Sequence, residues 1–207
     1  MNTSYTLYGR KGAGSLAPQF LLEEMGVPYK MEWLADEMSR DQTEAYQRIC
    51  PTGKIPALTL PDGSTLFESA AICIHLADLD GKVRLAPARG TADHARFLQW
   101  MLFLATNVYG SILRYYYAPR YTLGNDAEGV KEAALRDFET HLSLLNSHVG
   151  EYVLGTSFSA ADLYLCMLAS WHPDGDEVIR QKFPKLADLC DNVAARPAVQ
   201  RVMEMNL

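Results

Sequence analysis

The chain has 207 residues, of which 48% are hydrophobic and 21% are charged, and its formal net charge is −6 at pH 7. This length is typical of one large domain or two small ones, and the composition is that of a globular protein. No basic run is long enough to indicate nucleic-acid binding, and no apolar run is long enough to cross a bilayer. Since the N-terminus also lacks a signal-like pattern, we expect a cytoplasmic protein.

The first eighty residues predict alternating strands and helices. Residues 5–8 are rich in β-formers and alternate in polarity, and Ser15 then stands where an amphipathic helix begins, with Gly26 at its end. The order β-α-β-α-β-β-α gives a mixed sheet with helices on its faces, which is the thioredoxin-like arrangement. The remaining predicted elements are strands at 29–34, 57–60 and 65–67 and helices at 41–49 and 70–78, the last closed by Gly81.

A glycine-containing loop joins the first strand to the first helix. Its spacing, G-x-x-G-x-G over residues 9–14, is neither a dinucleotide fingerprint nor a phosphate loop. Ser15 after it has two interpretations. As an N-cap its hydroxyl satisfies a free helix N–H, which is the commoner role and the one that this position alone favours. Alternatively the hydroxyl and the positive helix end stabilise an anion such as a thiolate.

The turn before the third strand ends in Ile55–Pro56. A proline here removes one donor from the strand ladder, and the residues alone favour a trans bond at the start of an edge strand. If the bond is cis, the N–H and C=O of Ile55 face outward, where an extended peptide pairs with them as an additional strand.

The helix after the fourth strand opens with Glu68 and Ser69. By default Ser69 is its N-cap and Glu68 is a solvated acid near the positive helix end. The same helix start is also suited to binding a carboxylate, and Glu68 beside it to binding a ligand ammonium.

Four cysteines, Cys50, Cys73, Cys166 and Cys190, are far apart and form neither a metal-ligand set nor a redox pair. We interpret them as reduced thiols and predict no bound metal.

The sequence after the first eighty residues predicts helices. Residues 81–90 carry glycine and proline and are interpreted as a linker, so the predicted domains are 1–80 and 91–207. A long helix ends near Pro119, and Ser159 to Asp162 form a variant of the capping box, in which Asp162 is structural. Further helices are predicted at 126–149, 185–192 and 198–205.

Tyr109 and Tyr116, in the long helix, are seven residues apart and therefore share a face. Tyrosines at such positions most often pack in a core or at a subunit contact. The functional alternative is that they line an apolar ligand pocket.

Three segments together resemble the glutathione S-transferase family: residues 12–18, 50–58 and 67–72. The resemblance extends over nearly the whole chain. It implies a thioredoxin-like α/β domain followed by an all-α domain, glutathione as co-substrate, and a homodimer acting in detoxification. It also implies that the Ile55–Pro56 bond is cis, in contrast to the interpretation from the residues alone.

The resemblance places a glutathione site in the first domain. The cysteinyl backbone of glutathione is expected to pair with Ile55, beside Pro56. The γ-glutamyl end is expected to lie on Glu68 and Ser69, and Lys54 matches a position that reaches the glycyl carboxylate.

The glycine loop is most similar to that of the bacterial beta class, whose motif reads Gly-Ala-Cys-Ser-Leu. Gly14 stands at the cysteine position, which argues against thiol-transfer chemistry through a mixed disulfide. Ser15 matches the serine of theta-like members, and Tyr8 lies near the catalytic phenol of tyrosine-type members. We rank Ser15 ahead of Tyr8 because the surrounding loop matches the beta and theta patterns. A histidine of the beta-like pattern matches Tyr109.

These features predict a glutathione transferase. The helix end and Ser15 lower the thiol pKa of glutathione, and the thiolate attacks an electrophile held in a pocket that includes Tyr109 and Tyr116. The alternatives are a glutathione-dependent isomerase, dehalogenase or peroxidase, and a non-catalytic member that binds apolar ligands or a protein. We expect no nucleic-acid or membrane partner.

Overall fold

The computed structural model describes residues 4–79 and 83–206, so Gly81 and part of the predicted linker lie outside the described residues. The chain forms two compact units. The first extends to Ala86 and also includes the chain from Ala195 onwards, and the second is Pro87–Ala194. The boundary between the units falls within the segment interpreted as a linker, and the final helix, predicted within 91–207, lies in the first unit.

The first unit is built on a four-stranded mixed sheet with the strand order β2-β1-β3-β4. β1 pairs with β2 in parallel, whereas β3 is antiparallel to both β1 and β4. This topology confirms the predicted thioredoxin-like arrangement. The strands are β1 Tyr5–Gly9, β2 Tyr29–Trp33, β3 Ala57–Thr59 and β4 Thr65–Phe67, and the helices are α1 Leu16–Met25, α2 Arg40–Gln47 and α3 Ser69–Ala77.

Strand direction brings three chain segments to one end of this sheet. Tyr8 of β1 is the register partner of Ala57 in β3, and Ala57 is the partner of Phe67 in β4. Because β3 runs against its two neighbours, its beginning lies beside the ends of β1 and β4. The glycine loop, Ile55 and Glu68 therefore lie at this end of the sheet.

The last helix, α10 (Pro197–Asn206), packs on α1 within the first unit. The Arg196 guanidinium makes two bonds to the Glu24 carboxylate, at 2.6 and 2.8 Å. Arg201 bonds Glu23 at 3.0 Å. These ion pairs join two helices that are far apart in the sequence, and nothing in local periodicity predicts them.

The second unit is helical, as predicted. The long helix is divided by a π-helical turn at Leu104–Val108, and the chain then makes a 3-10 turn at Ala118–Tyr121. A short helix at Asp176–Lys182, α8, was not expected from the sequence. No helix among residues 4–79 and 83–206 is long and apolar enough to span a membrane. The helices are α4 Ala92–Phe103, α5 Tyr109–Tyr116, α6 Ala127–His148, α7 Ala160–Ala169, α8 Asp176–Lys182 and α9 Pro184–Ala194.

The capping box at the start of α7 is present, as predicted. Asp162 is fully buried, and its carboxylate accepts the backbone N–H groups of Val153 and Ser159, both at 2.7 Å. The Ser159 hydroxyl in turn accepts the N–H of Ala161 at 3.3 Å. Asp162 thus joins the preceding loop to the helix start.

Candidate active site

Ser15 stands at the N-cap of α1, but its side chain makes no capping hydrogen bond. Its hydroxyl donates to the C=O of Arg10 at 3.0 Å, and its oxygen accepts the N–H of Arg10 at 3.2 Å. The side chain is buried and packs directly on Gly9, where a Cβ would overlap it. In this arrangement Ser15 closes the glycine loop, and the predicted capping bond is absent.

The start of α1 offers two backbone donors. Within the described part of the chain, the N–H groups of Gly14 and Ser15 have no hydrogen-bond partner. Free N–H groups at this end of a helix carry partial positive charge and stabilise an anion. Gly14 is buried and contributes only backbone here, at the position where the beta-class motif has its cysteine.

Tyr8 lies close in sequence but points elsewhere. Its ring packs against that of Tyr46, with centroids 5.9 Å apart, in a cluster that includes Cys50. Gly9, the next strand residue, faces Ser15, and successive strand residues project to opposite faces of a sheet. The structure therefore does not bring the Tyr8 phenol and the Ser15 hydroxyl together.

The Ile55–Pro56 bond is cis, as the resemblance implies. The preceding carbonyl, of Lys54, accepts the Tyr46 hydroxyl at 2.8 Å and the Cys50 thiol at 3.3 Å, while the Lys54 side chain is exposed. Burial raises the pKa of Tyr46, so this phenol stays protonated and remains a donor. Among the described residues, neither the N–H nor the C=O of Ile55 has a hydrogen-bond partner.

Glu68, and not Ser69, is the N-cap of α3, which corrects the sequence interpretation. Glu68 has φ 70° and ψ 111°, and among the described residues it is the one non-glycine residue with positive φ. Such a conformation costs about 1–3 kcal/mol and persists only where the surrounding structure imposes it, often at a ligand site. The Glu68 side chain is exposed, and Ser69 is the buried first residue of the helix.

The two remaining predicted residues lie in the second unit and meet at Trp171. The Tyr109 ring makes an edge contact with the Trp171 ring, with centroids 5.2 Å apart and planes at 89°. The Tyr116 hydroxyl donates to the carbonyl of Trp171 at 2.8 Å. The shared face predicted from their spacing is thus occupied by a residue that sequence reasoning missed.

Sequence reasoning also missed Tyr46 and Arg10, which hold the Lys54 carbonyl and the Ser15 hydroxyl, respectively. These contacts span only five and eight residues, but they involve irregular loops, where side-chain partners follow no sequence period. In the described part of the chain, no group of three or more His, Cys, Asp or Glu side chains is placed to hold a metal ion.

Family models match both halves of the chain. Residues 15–79 match the model described as glutathione S-transferase, N-terminal domain, and residues 111–205 match glutathione S-transferase, C-terminal domain.

Two solved structures agree with these matches, and a curated relative carries a different name. A bacterial beta class glutathione S-transferase from Sphingomonas chungbukensis is 29% identical, with a TM-score of 0.81 over 97% of this chain and 98% of that one. A glutathione transferase homologue from Sulfitobacter, solved with bound glutathione, is 28% identical, with a TM-score of 0.88 over 98% of each chain. A probable elongation factor 1-gamma 1 from Arabidopsis thaliana is 32% identical over 163 residues, which is 77% of this chain and 38% of that protein.

Proposed function

This chain belongs to the glutathione S-transferase family, and on that basis we propose that it is a glutathione transferase whose glutathione thiolate attacks a hydrophobic electrophile. The observation that carries the proposal is the unpaired backbone of Ile55 just before β3, at the end of the sheet where α1 and α3 begin. An extended peptide pairs with such unpaired main-chain groups as an additional strand does. The glutathione bound to the Sulfitobacter homologue supports the choice of ligand.

Glutathione lies extended across this end of the sheet, with its cysteinyl N–H and C=O on Ile55. Its γ-glutamyl end meets Glu68 and Ser69. The exposed Glu68 carboxylate takes the ligand ammonium, and the positive start of α3 takes the α-carboxylate. At the other end, the exposed Lys54 ammonium takes the glycyl carboxylate.

The sulfur of the bound peptide lies at the start of α1. The free N–H groups of Gly14 and Ser15 favour the thiolate over the thiol, which lowers the thiol pKa. The Ser15 hydroxyl now donates to the Arg10 carbonyl, and rotation about its Cβ–Oγ bond turns the proton to the sulfur instead. The thiolate is itself the nucleophile, so that no covalent enzyme intermediate forms and position 14 needs no side chain.

The electrophile is held by aromatic side chains of the second unit, Tyr109, Trp171 and Tyr116. Ring faces and edges supply an apolar surface, and phenol groups supply a few orienting polar contacts, as in most small-molecule sites. A homodimer and a cytoplasmic location complete the proposal, by the resemblance to the family.

The thiol pKa of bound glutathione tests this mechanism. It is read from the ultraviolet absorbance of the thiolate as a function of pH, in the wild type and in Ser15→Ala. Free glutathione should titrate near 8.5, like an ordinary cysteine. We expect a fall of at least one pH unit on binding, smaller in Ser15→Ala, and unchanged in the control Ser147→Ala, whose exposed serine is in α6. Formation of a glutathione conjugate from aryl halides or unsaturated carbonyls then identifies a transferase, and reduction of hydroperoxides identifies a peroxidase.

A non-catalytic binding protein is the second candidate. It is favoured by the Ser15 hydroxyl, both of whose hydrogen bonds are already made to Arg10, and by the relative named as a probable elongation factor 1-gamma 1, a name that refers to no transferase activity. Glutathione binding without any fall in thiol pKa would support this candidate and exclude the transferase mechanism.

A further inference from the structure

The carbonyl of Lys54 is held by two buried side chains. The Tyr46 hydroxyl, in α2, donates to it at 2.8 Å, and the Cys50 thiol donates to it at 3.3 Å. Tyr46 is 3% exposed and Cys50 is fully buried. The hydroxyl is the stronger of the two donors, since a thiol donates only weakly. One phenol therefore makes the main hydrogen bond that fixes this peptide group in an otherwise irregular loop.

The same carbonyl shares a peptide unit with the N–H of Ile55. The Lys54–Ile55 bond is trans, so its C=O and N–H lie in one plane and point in opposite directions. Because the oxygen is turned toward the buried Tyr46, the N–H of Ile55 is turned away from it. Among the described residues, that N–H has no hydrogen-bond partner. The Tyr46 hydroxyl thus sets the direction of a main-chain donor that pairs with glutathione in the proposed function.

Packing holds the phenol itself in place. Its ring packs against that of Tyr8 in β1, with centroids 5.9 Å apart. The side chain of Ile55 packs against the cluster that contains Tyr46 and Cys50. Burial raises the pKa of the Tyr46 hydroxyl, so the phenol keeps its proton near neutral pH and stays a donor. Ile55 is therefore anchored on its inner side, by its own side chain and by the preceding carbonyl, which leaves its N–H and C=O for a ligand.

We propose that Tyr46 is a positioning residue for glutathione, whose hydroxyl holds the Lys54–Ile55 peptide in the orientation that pairs with the cysteinyl backbone. The inference deepens the proposed function and rests on it. Without the hydroxyl, the peptide unit is free to rotate, and the orientation that binds glutathione is only partly populated. The apparent dissociation constant then rises by the inverse of that population. Because the Cys50 thiol still reaches the carbonyl, the loss is partial.

The acidity of the thiol separates this role from activation of the sulfur. Tyr46 bonds the peptide unit before Ile55, whereas the sulfur in the proposed binding mode lies at the start of α1. Its loss should therefore weaken every ligand that has the glutathione backbone, whether or not the sulfur of that ligand ionises. A residue that acts on the sulfur changes the thiol pKa instead.

Tyr29→Phe is the matched control. The Tyr29 hydroxyl is also partly buried and donates to the Glu23 carboxylate at 3.0 Å. Tyr29 lies in β2 opposite Tyr5, the first residue of β1, and so at the far end of the sheet from Tyr8 and the Ile55 segment. Each substitution removes one hydroxyl from the first unit. If the Tyr46 hydroxyl served only the stability of that unit, the two variants would bind glutathione equally well.

The test measures three quantities for both variants. These are the dissociation constants of glutathione and of S-hexylglutathione, by isothermal titration calorimetry, and the thiol pKa of bound glutathione. For Tyr46→Phe we expect both ligands to bind about threefold to tenfold more weakly, the factor that one hydrogen bond contributes, at a wild-type thiol pKa. Tyr29→Phe should match the wild type in all three.

A second variant keeps the test decisive. Cys50→Ala removes the weaker donor and should weaken the binding of both ligands by about twofold, and it carries the test if Tyr46→Phe fails to fold. Wild-type affinity in Tyr46→Phe, or in Cys50→Ala where that variant carries the test, overturns the inference. So does an equal loss of affinity in Tyr29→Phe, or a raised thiol pKa with unchanged binding of S-hexylglutathione.

The same measurements separate this inference from the proposed function. If the wild type binds glutathione without lowering its thiol pKa, the transferase mechanism fails, and the affinities of the variants still decide the role of Tyr46. If the wild type does not bind glutathione, both fail.

Discussion

Replacing Gly9 by alanine should destabilise the protein more than its small size suggests. A Cβ at Gly9 would overlap Cβ and Oγ of Ser15 and lie 2.7 Å from Cε of Met31, well inside the 3.0 Å that real Cβ atoms respect. The Met31 terminus is flexible and moves away at little cost. Ser15 does not, because it is buried and its hydroxyl is bonded twice to the Arg10 backbone.

The expected loss for Gly9→Ala is about 3 kcal/mol in the free energy of unfolding. Overpacking a filled site costs about 1–3 kcal/mol, and displacing Ser15 forfeits hydrogen bonds worth about 1 kcal/mol each. Gly9 is not among the glycines with positive φ, so alanine meets no conformational penalty there and the effect is steric. Gly12 in the same loop is the matched control: it has φ 64° and nothing within 4 Å of a Cβ, so Gly12→Ala should cost about 1–2 kcal/mol, from backbone strain alone.

Urea unfolding of both variants measures these differences. Adding Ser15→Gly to Gly9→Ala should recover more than 1 kcal/mol, a coupling that only direct contact produces. If Gly9→Ala lies within about 0.5 kcal/mol of wild type, or if Gly12→Ala costs more than Gly9→Ala, the packing of Ser15 on Gly9 is not what holds the loop.

Two predictions concern the stability of the fold. Arg196→Ala should lower the free energy of unfolding in urea by about 3–5 kcal/mol, because it leaves the Glu24 carboxylate, 6% exposed, without its cation. The control Arg180→Ala breaks a similar but half-exposed pair and should cost less than about 1 kcal/mol, and equal losses would contradict this reasoning. Burial raises the pKa of Asp162 to about 6 from 3.8, so the folded state keeps this proton to higher pH than the unfolded chain. The contribution of Asp162 to the free energy of unfolding is therefore largest below pH about 4 and falls by about 3 kcal/mol as the pH rises through about 6. Asp162→Asn should flatten that decline when unfolding is measured between pH 4 and 7. An equally steep decline in the variant would show that other groups cause it.

The order of the elements could be predicted because its signals are local. Alternation in residues 5–8, Gly26 at the end of α1 and the capping box at Ser159 each act within a few residues, so the chain carries them without tertiary context. The fold class followed from that order, and the cis bond before Pro56 followed from the resemblance.

The hydrogen-bond partners of the site residues could not be predicted in this way. The sequence identifies Ser15 as a residue at a helix start, but whether its hydroxyl caps the helix or bonds Arg10 depends on where the loop is held against Gly9. The same applies to Trp171 between Tyr109 and Tyr116. These choices are made among several acceptors of similar strength, and packing selects one of them.

The sequence by itself therefore determined the strands and most of the helices, the family resemblance and the residues of the predicted site. Only the tertiary structure decided that α10 belongs with α1 in the first unit, and that the Nε of Arg10 is buried without a hydrogen-bond partner among the described residues. The physical reason is the distance along the chain over which each signal acts. Hydrophobic periodicity and capping are written over a few neighbouring residues, whereas sheet register and the burial of a single nitrogen are fixed by segments that are distant in the chain.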